Sequence, residues 1–155
     1  MTVRLAGPGD ENALYDLLLG LERDNSIGYP HDEDRVRHHI RLGTERTGGI
    51  HGVIDWPEQP GRLAGSVGII WNQFWYSREF YWHELWLFVR PECRKGTGYA
   101  DDLMAWAQEI HRKFAVSVGK ETPFFTSVTS RKRLDAKIRW WRRRGPMIGA
   151  IFLLR

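Results

Sequence analysis

The residues best placed to do chemistry lie between Trp82 and Phe114. Tyr81 to Arg90 is an apolar run that reads as a strand. Arg94-Lys95-Gly96-Thr97-Gly98 reads as a tight turn. Leu103, Trp106, Ala107, Ile110 and Phe114 form the buried stripe of the helix that this turn opens. The first N–H groups of a helix have no partner within it, and the dipole makes that end positive. Such a turn is therefore an anion site, best suited to phosphate. Gly96 and Gly98 let a ligand approach the backbone, and Arg94 and Lys95 add charge. The same pattern also fits a turn that merely joins strand to helix. His83 and Glu84 sit on the strand and, being adjacent, point to opposite faces. A carboxyl on an apolar strand keeps its proton to higher pH, which suits Glu84 to general-base work, while His83 needs no such shift. Either also fits a polar side chain hydrogen-bonded at a strand end.

Three further groups have the residue types for chemistry. Residues 131–144 hold eight basic side chains (Arg131, Lys132, Arg133, Lys137, Arg139, Arg142, Arg143, Arg144) against Asp135. That fits a phosphate-binding helix, a nucleic-acid footprint or a solvated face with cations toward its C-terminus. The chain's net charge is +4, so without this helix the rest is slightly acidic. His31, Asp32, Glu33, Asp34, His38 and His39 have metal-ligating side chains, but no ligand set is completed elsewhere, and acids are expected where a helix starts. Cys93 lies beside Arg94, which would lower its pKa, yet no partner acid or base for a nucleophile is evident.

The elements that must position these groups follow from periodicity and punctuation. Thr2–Ala6 reads as a strand, and Asp10 as the cap of a helix over 11–23 with Leu14, Leu17, Leu18 and Leu21 inward. A second helix runs from Asp32 to about Leu42. Strands follow at Ile50–Trp56 and Leu63–Trp71. Beyond the central strand and helix, Phe124–Ser130 reads as a strand, 131–144 as a helix with Leu134, Ile138 and Trp141 inward, and Met147–Leu154 as the last strand. The order is α+β, with helices on both faces of one mixed sheet and residues 1–155 forming a single domain. One Cys excludes a disulfide framework and a cysteine-based zinc site, and no apolar run is long enough to span a membrane. The N-terminus lacks a signal-like apolar core, so a cytoplasmic location is expected. Neither a Walker-type loop nor a Rossmann glycine fingerprint is present. Eight Trp in 155 residues must be largely buried or line a site for something flat.

Val89-Arg90-Pro91-Glu92-Cys93-Arg94-Lys95-Gly96-Thr97-Gly98-Tyr99-Ala100 resembles the acetyl-CoA-binding motif of the GNAT superfamily of N-acetyltransferases, with one residue inserted in the loop. The element order matches over essentially the whole chain, nearest to small members from bacteria and their phages. The resemblance implies a central, mostly antiparallel sheet in which two parallel strands, 82–90 and 124–130, splay apart to admit acetyl-CoA. The backbone of Leu87, Phe88 and Val89 would pair with pantetheine. Arg94, Lys95, Gly96, Thr97, Gly98, Tyr99 and Ala100 would hold the pyrophosphate, and an N–H near Phe88 would face the developing oxyanion. Glu84, with His83 as alternative, would take a proton from a primary amine, whether a small molecule, a polyamine or a protein amine. Trp141 stands where the family places a Tyr that protonates the leaving thiolate. An indole N–H cannot do this, so water or a hydroxyl such as Ser130 or Thr129 is expected instead. The alternative is a GNAT-fold binding module without efficient catalysis, contacting nucleic acid or a protein through 131–144. No membrane partner is expected, and the assembly is a monomer or homodimer.

Overall fold

A computed structural model describes residues 3–25, 30–127 and 134–145. Ser130, Thr129, Arg131, Lys132, Arg133 and the expected strand Met147–Leu154 lie outside them. The elements are β1 (Arg4–Leu5), α1 (Glu11–Asn25), α2 (Glu33–Thr44), β2 (Gly49–Asp55), β3 (Leu63–Gln73), β4 (Phe80–Val89), α3 (Tyr99–Val118), β5 (Phe124–Phe125) and α4 (Leu134–Arg142). The five strands form one sheet in chain order, antiparallel except for the parallel pair β4–β5. This is the α+β arrangement that the sequence predicts.

Alternation along the strands gives each face its own core. On one face, Leu14, Leu17 and Leu18 of α1 and Ile40 of α2 pack with Val53, Trp86 and Phe88. On the other, Leu103, Met104 and Ala107 of α3 pack with Ile50, Ile54, Val67, Ile69 and Trp82. One face of α1 thus carries its leucines inward, as their spacing requires. Asp32 caps α2 by accepting from the Arg35 amide at 3.0 Å. Asp10 differs from its expected capping role. It sits in a single 3-10 turn before α1 and accepts from the Gly7 amide and from both terminal nitrogens of Arg4, all at 2.8 Å.

β4 is not regular. Gly68 of β3 faces Trp86, but the next residue, Ile69, faces Glu84, so Leu85 is the extra residue of a bulge. The parity of β4 changes there: Trp82 belongs to the α3 face, whereas Trp86 and Phe88 belong to the α1–α2 face. The Trp86 indole lies flat on Gly68, donates to Ser66 Oγ at 3.2 Å, and meets the buried His51 ring at 4.6 Å. A Cβ on Gly68 would stand 2.2 Å from the Trp86 ring. Gly68→Ala is therefore expected to destabilise the fold by about 1–3 kcal/mol, read as a lower denaturant midpoint at unchanged slope.

Candidate functional site

β5 pairs with β4 at only two positions, Trp82–Phe124 and His83–Phe125. Thr126 and Ser127 continue without pairing, so β4 from Glu84 onward has no strand on that side among the described residues. The open stretch is where the splayed strands were expected. The β3 ladder decides which backbone groups face it. Arg90 N–H reaches Ala64 O at 2.9 Å, and hydrogen-bonded pairs in an antiparallel ladder recur at every second residue. Phe88 therefore bonds back to Ser66, while Leu87 and Val89 turn their backbone groups to the open side. The expected role of Phe88 moves to its neighbours. Its ring instead lies buried on the α1–α2 face, beneath the Arg94 guanidinium at 5.3 Å.

Glu84 stands at the point where the strands part. By alternation it shares the face of Trp82, and it is buried, with Oε2 lacking any hydrogen-bond partner. Burial pushes its carboxyl up to about 8, opposed only by the backbone of Ser127. His83 points the opposite way and is half-buried. Its ring lies 6.4 Å from Tyr81, and partial burial lowers its pKa below the usual histidine value.

At the other end of the open stretch lies the glycine turn from which the sequence leads one to expect anion binding. Gly96 and Gly98 have φ of 74° and 69°, a region in which a side chain is strained, and a Cβ on either would meet nothing within 4 Å. Gly98 is the N-cap of α3 and offers no side chain to the helix amides. Thr97 Oγ donates to Cys93 O at 2.7 Å and accepts from the Tyr99 amide at 3.4 Å, so its hydroxyl holds the loop rather than reaching outward. Lys95 and Gly96 are exposed, while Tyr99 and Ala100 lean on the α3 core. Arg94 donates from Nε to Val89 O at 2.7 Å, which fastens the loop to the end of β4. The open backbone of Leu87, the Val89 amide, the glycine turn at Gly96 and Gly98, and the orphaned oxygen of Glu84 fit an extended, amide-bearing ligand with a diphosphate at one end.

Spacing alone gave no sign of one contact at this end. Asp101, in the first turn of α3, accepts from Trp140 Nε1 at 3.2 Å and pairs with Arg144. The Arg144 guanidinium stacks on Trp140 at 3.5 Å. The end of α4 is thereby clasped to the start of α3. Trp141 meets Trp140 edge-on at 4.8 Å and packs against the α3 core. Cys93 also departs from expectation. Burial, followed by the nearby Glu92 and Glu58 charges, raises its thiol pKa, while Arg94 is turned to Val89 and Phe88. In the His31–His39 group, His31 bonds Tyr15 and Glu22, each at 2.8 Å, and Glu33 pairs with Arg37. Among the described residues, no three such side chains converge on a metal position. No described helix is long and apolar enough to cross a membrane.

Among the described residues, five strands form a sheet that parts at its parallel pair, and a glycine-containing turn opens the helix between those strands, the arrangement that the GNAT resemblance implies. Solved structures agree over nearly the whole chain. The chain is similar to a probable acetyltransferase at 16% identity, covering 100% of this chain and 97% of the other, with a TM-score of 0.69. It is similar to a GNAT family acetyltransferase of Staphylococcus aureus at 19% identity, covering 100% and 98%, TM-score 0.59. It is also similar to a ribosomal-protein-alanine N-acetyltransferase of Brucella melitensis at 14% identity, covering 99% and 95%, TM-score 0.65. The sequence matches no family model and no curated protein. At these identities the likeness shows the fold, as the motif at 89–100 led one to expect.

The Glu84 environment has a measurable consequence. The folded state holds its proton to about pH 8, against 4.5 for a solvent-exposed glutamate. Above pH 4.5 the unfolded chain therefore binds fewer protons here than the folded one. Stability is lost as pH rises from 4.5 to 8 and is constant in this term outside that window. Glu84→Gln should abolish that fall, read as melting temperature against pH for the two proteins.

Proposed function

We propose that the chain is an acetyl-CoA-dependent N-acetyltransferase acting on a primary amine. The observation that carries this reading is the buried Glu84 carboxyl, with its raised pKa and free oxygen, where β4 and β5 separate. A carboxylate in such a place is a base matched to an ammonium proton near neutral pH. Leu87 and Val89 would align the pantetheine arm through their backbone. The amides of 95–100, with Lys95, would hold the diphosphate against the positive end of α3. When bound, acetyl-CoA supplies an activated carbonyl carbon, to which the amine nitrogen bonds as the carbon–sulfur bond breaks, its electron pair leaving on sulfur. Glu84 takes the ammonium proton through water in the gap between the strands. The second nitrogen proton, released as the amide forms, passes to the thiolate through water or through Ser130 or Thr129, since Trp141 cannot relay it.

Acetyl-CoA at 100 times its Kd should raise the melting temperature by roughly 5–10 °C, and no rise overturns the reading. Glu84→Gln should keep that rise and lower kcat about 10²–10⁴-fold. It should also remove the limb of the pH–rate profile near 8.

A second reading rests on Arg139, Arg142 and Arg143 of the α4 segment, which have no ion-pair partner among the described residues. As a nucleic-acid surface they would give binding that weakens steeply with salt. Failure to form a complex at low salt removes that reading.

A further inference from the structure

The β3–β4 hairpin carries aromatic rings that neither core uses. Trp75 is 94% exposed, Tyr76 68% and Phe80 56%. These rings are not scattered. Phe74 stacks on Tyr76 at 5.3 Å and meets Tyr81 at 4.7 Å, and Tyr81 meets Phe125 at 5.3 Å. Tyr81 is also the ring neighbour of His83. The wall therefore runs from the hairpin tip to the last paired position of β4 and β5, on the face that His83 shares and Trp82 does not.

The hairpin holds its rings in place. Ser77 N–H donates to Phe74 O at 3.2 Å, Phe74 N–H to Glu79 O at 3.3 Å, and Glu79 N–H to Ser77 Oγ at 3.1 Å. Glu79 pairs with Lys120 at the end of α3. Rings fixed in advance lose little entropy when a ligand covers them.

Charge then selects among amines. Segments 74–84 and 124–127 contain two carboxylates, Glu79 and Glu84. The first is taken by Lys120 and the second is buried. An acceptor with several ammonium groups needs a carboxylate for each, and these segments offer the wall none, since Glu79 is taken by Lys120 and Glu84 lies on the opposite face of β4. An amine with one ammonium and a flat apolar body suits it. The body lies on the rings and the ammonium meets their faces beside the His83 imidazole.

We infer that the acceptor is an arylalkyl monoamine, bound by the aromatic wall of Phe74, Tyr76, Tyr81 and Phe125 with Trp75 as its outer edge. The inference rests on the acetyltransferase reading for the reaction but not for the binding. The test therefore begins with binding. Phenethylamine is titrated against indole emission and by calorimetry, with spermidine and kanamycin as comparisons. Phenethylamine should bind at least about tenfold more tightly than either. Tyr76→Ala should weaken it about tenfold at unchanged melting temperature, because Tyr76 is exposed. Trp75→Phe should keep the affinity and reduce the optical signal. With acetyl-CoA present, Tyr76→Ala should raise KM for phenethylamine and leave kcat alone.

Tighter binding or faster acetylation of spermidine or kanamycin overturns the inference. So does phenethylamine binding that is absent or indifferent to Tyr76→Ala. In both cases the acetyltransferase reading stands so long as acetyl-CoA still raises the melting temperature. Phenethylamine binding that depends on Tyr76, with no response to acetyl-CoA, has the opposite meaning: the ring site is supported and the acetyltransferase reading fails.

Discussion

The bulge at Leu85 is the constraint on which the rest of the site depends. An unbroken β4 would put Trp82, Glu84, Trp86 and Phe88 on one face, four large or charged side chains against α3. The extra residue divides them between the two cores. It also turns the backbone, so that Leu87 and Val89, not Phe88, face the gap beside β5. Gly68 and Gly43 are the other half of the device. Trp86 lies on the first and His51 on the second, where a Cβ would stand 2.2 Å from either ring. The opening of the sheet is thus enforced from the closed side, by what the α1–α2 core has room for.

The electrostatics at the far end of the gap are mixed. Asp101 and Asp102 suit the positive end of α3 while no anion is there, yet they oppose a diphosphate placed at the same amides. Arg144 and Trp140 answer Asp101. An exposed pair of this kind is worth about 0–1 kcal/mol, too little to hold α4 in place by itself. What it does is neutralise one carboxylate beside the cradle and set the basic helix next to it. That placement offsets part of the acidity that Asp101 and Asp102 bring to the start of α3.

Much of this was legible in the sequence, and the residues show why. Leu14, Leu17 and Leu18 announce α1 through a period that only a helix satisfies. Pro91 and the glycines at 96 and 98 mark the end of β4 and the start of α3 through backbone rules that hold anywhere. The motif at 89–100 therefore pointed to the fold and to the strand–turn–helix at its centre. The bulge was not legible, because apolar residues stand on both sides of Leu85 and either register looks equally buried. Without the bulge, alternation cannot say which backbone groups among Leu87, Phe88 and Val89 turn to the open side. Asp10 and Cys93 failed for a related reason. Each was judged by its sequence neighbour, whereas Arg4 and the Val89 carbonyl, which decide their surroundings, are supplied by the fold. Of the eight Trp, Trp82, Trp86 and Trp106 fill the core, but nothing in the sequence set Trp75 apart as exposed.

Glu84 shows how structure and function compete at one position. A buried carboxyl with an unsatisfied oxygen costs stability at every pH where it is ionised, and Gln or Leu would serve the sheet better. Its surroundings make no attempt to relieve it. No cation pairs with it, and only the Ser127 backbone favours its charge. Elsewhere in the chain carboxylates are matched closely, as with Asp10 to Arg4, Glu33 to Arg37 and Glu79 to Lys120. Among the described residues, the buried carboxylate oxygen left without a partner is that of Glu84, at the parting of β4 and β5. A site that must accept a proton and then release it is where such a mismatch has a use, because a salt bridge there would fix the carboxylate in its charged form.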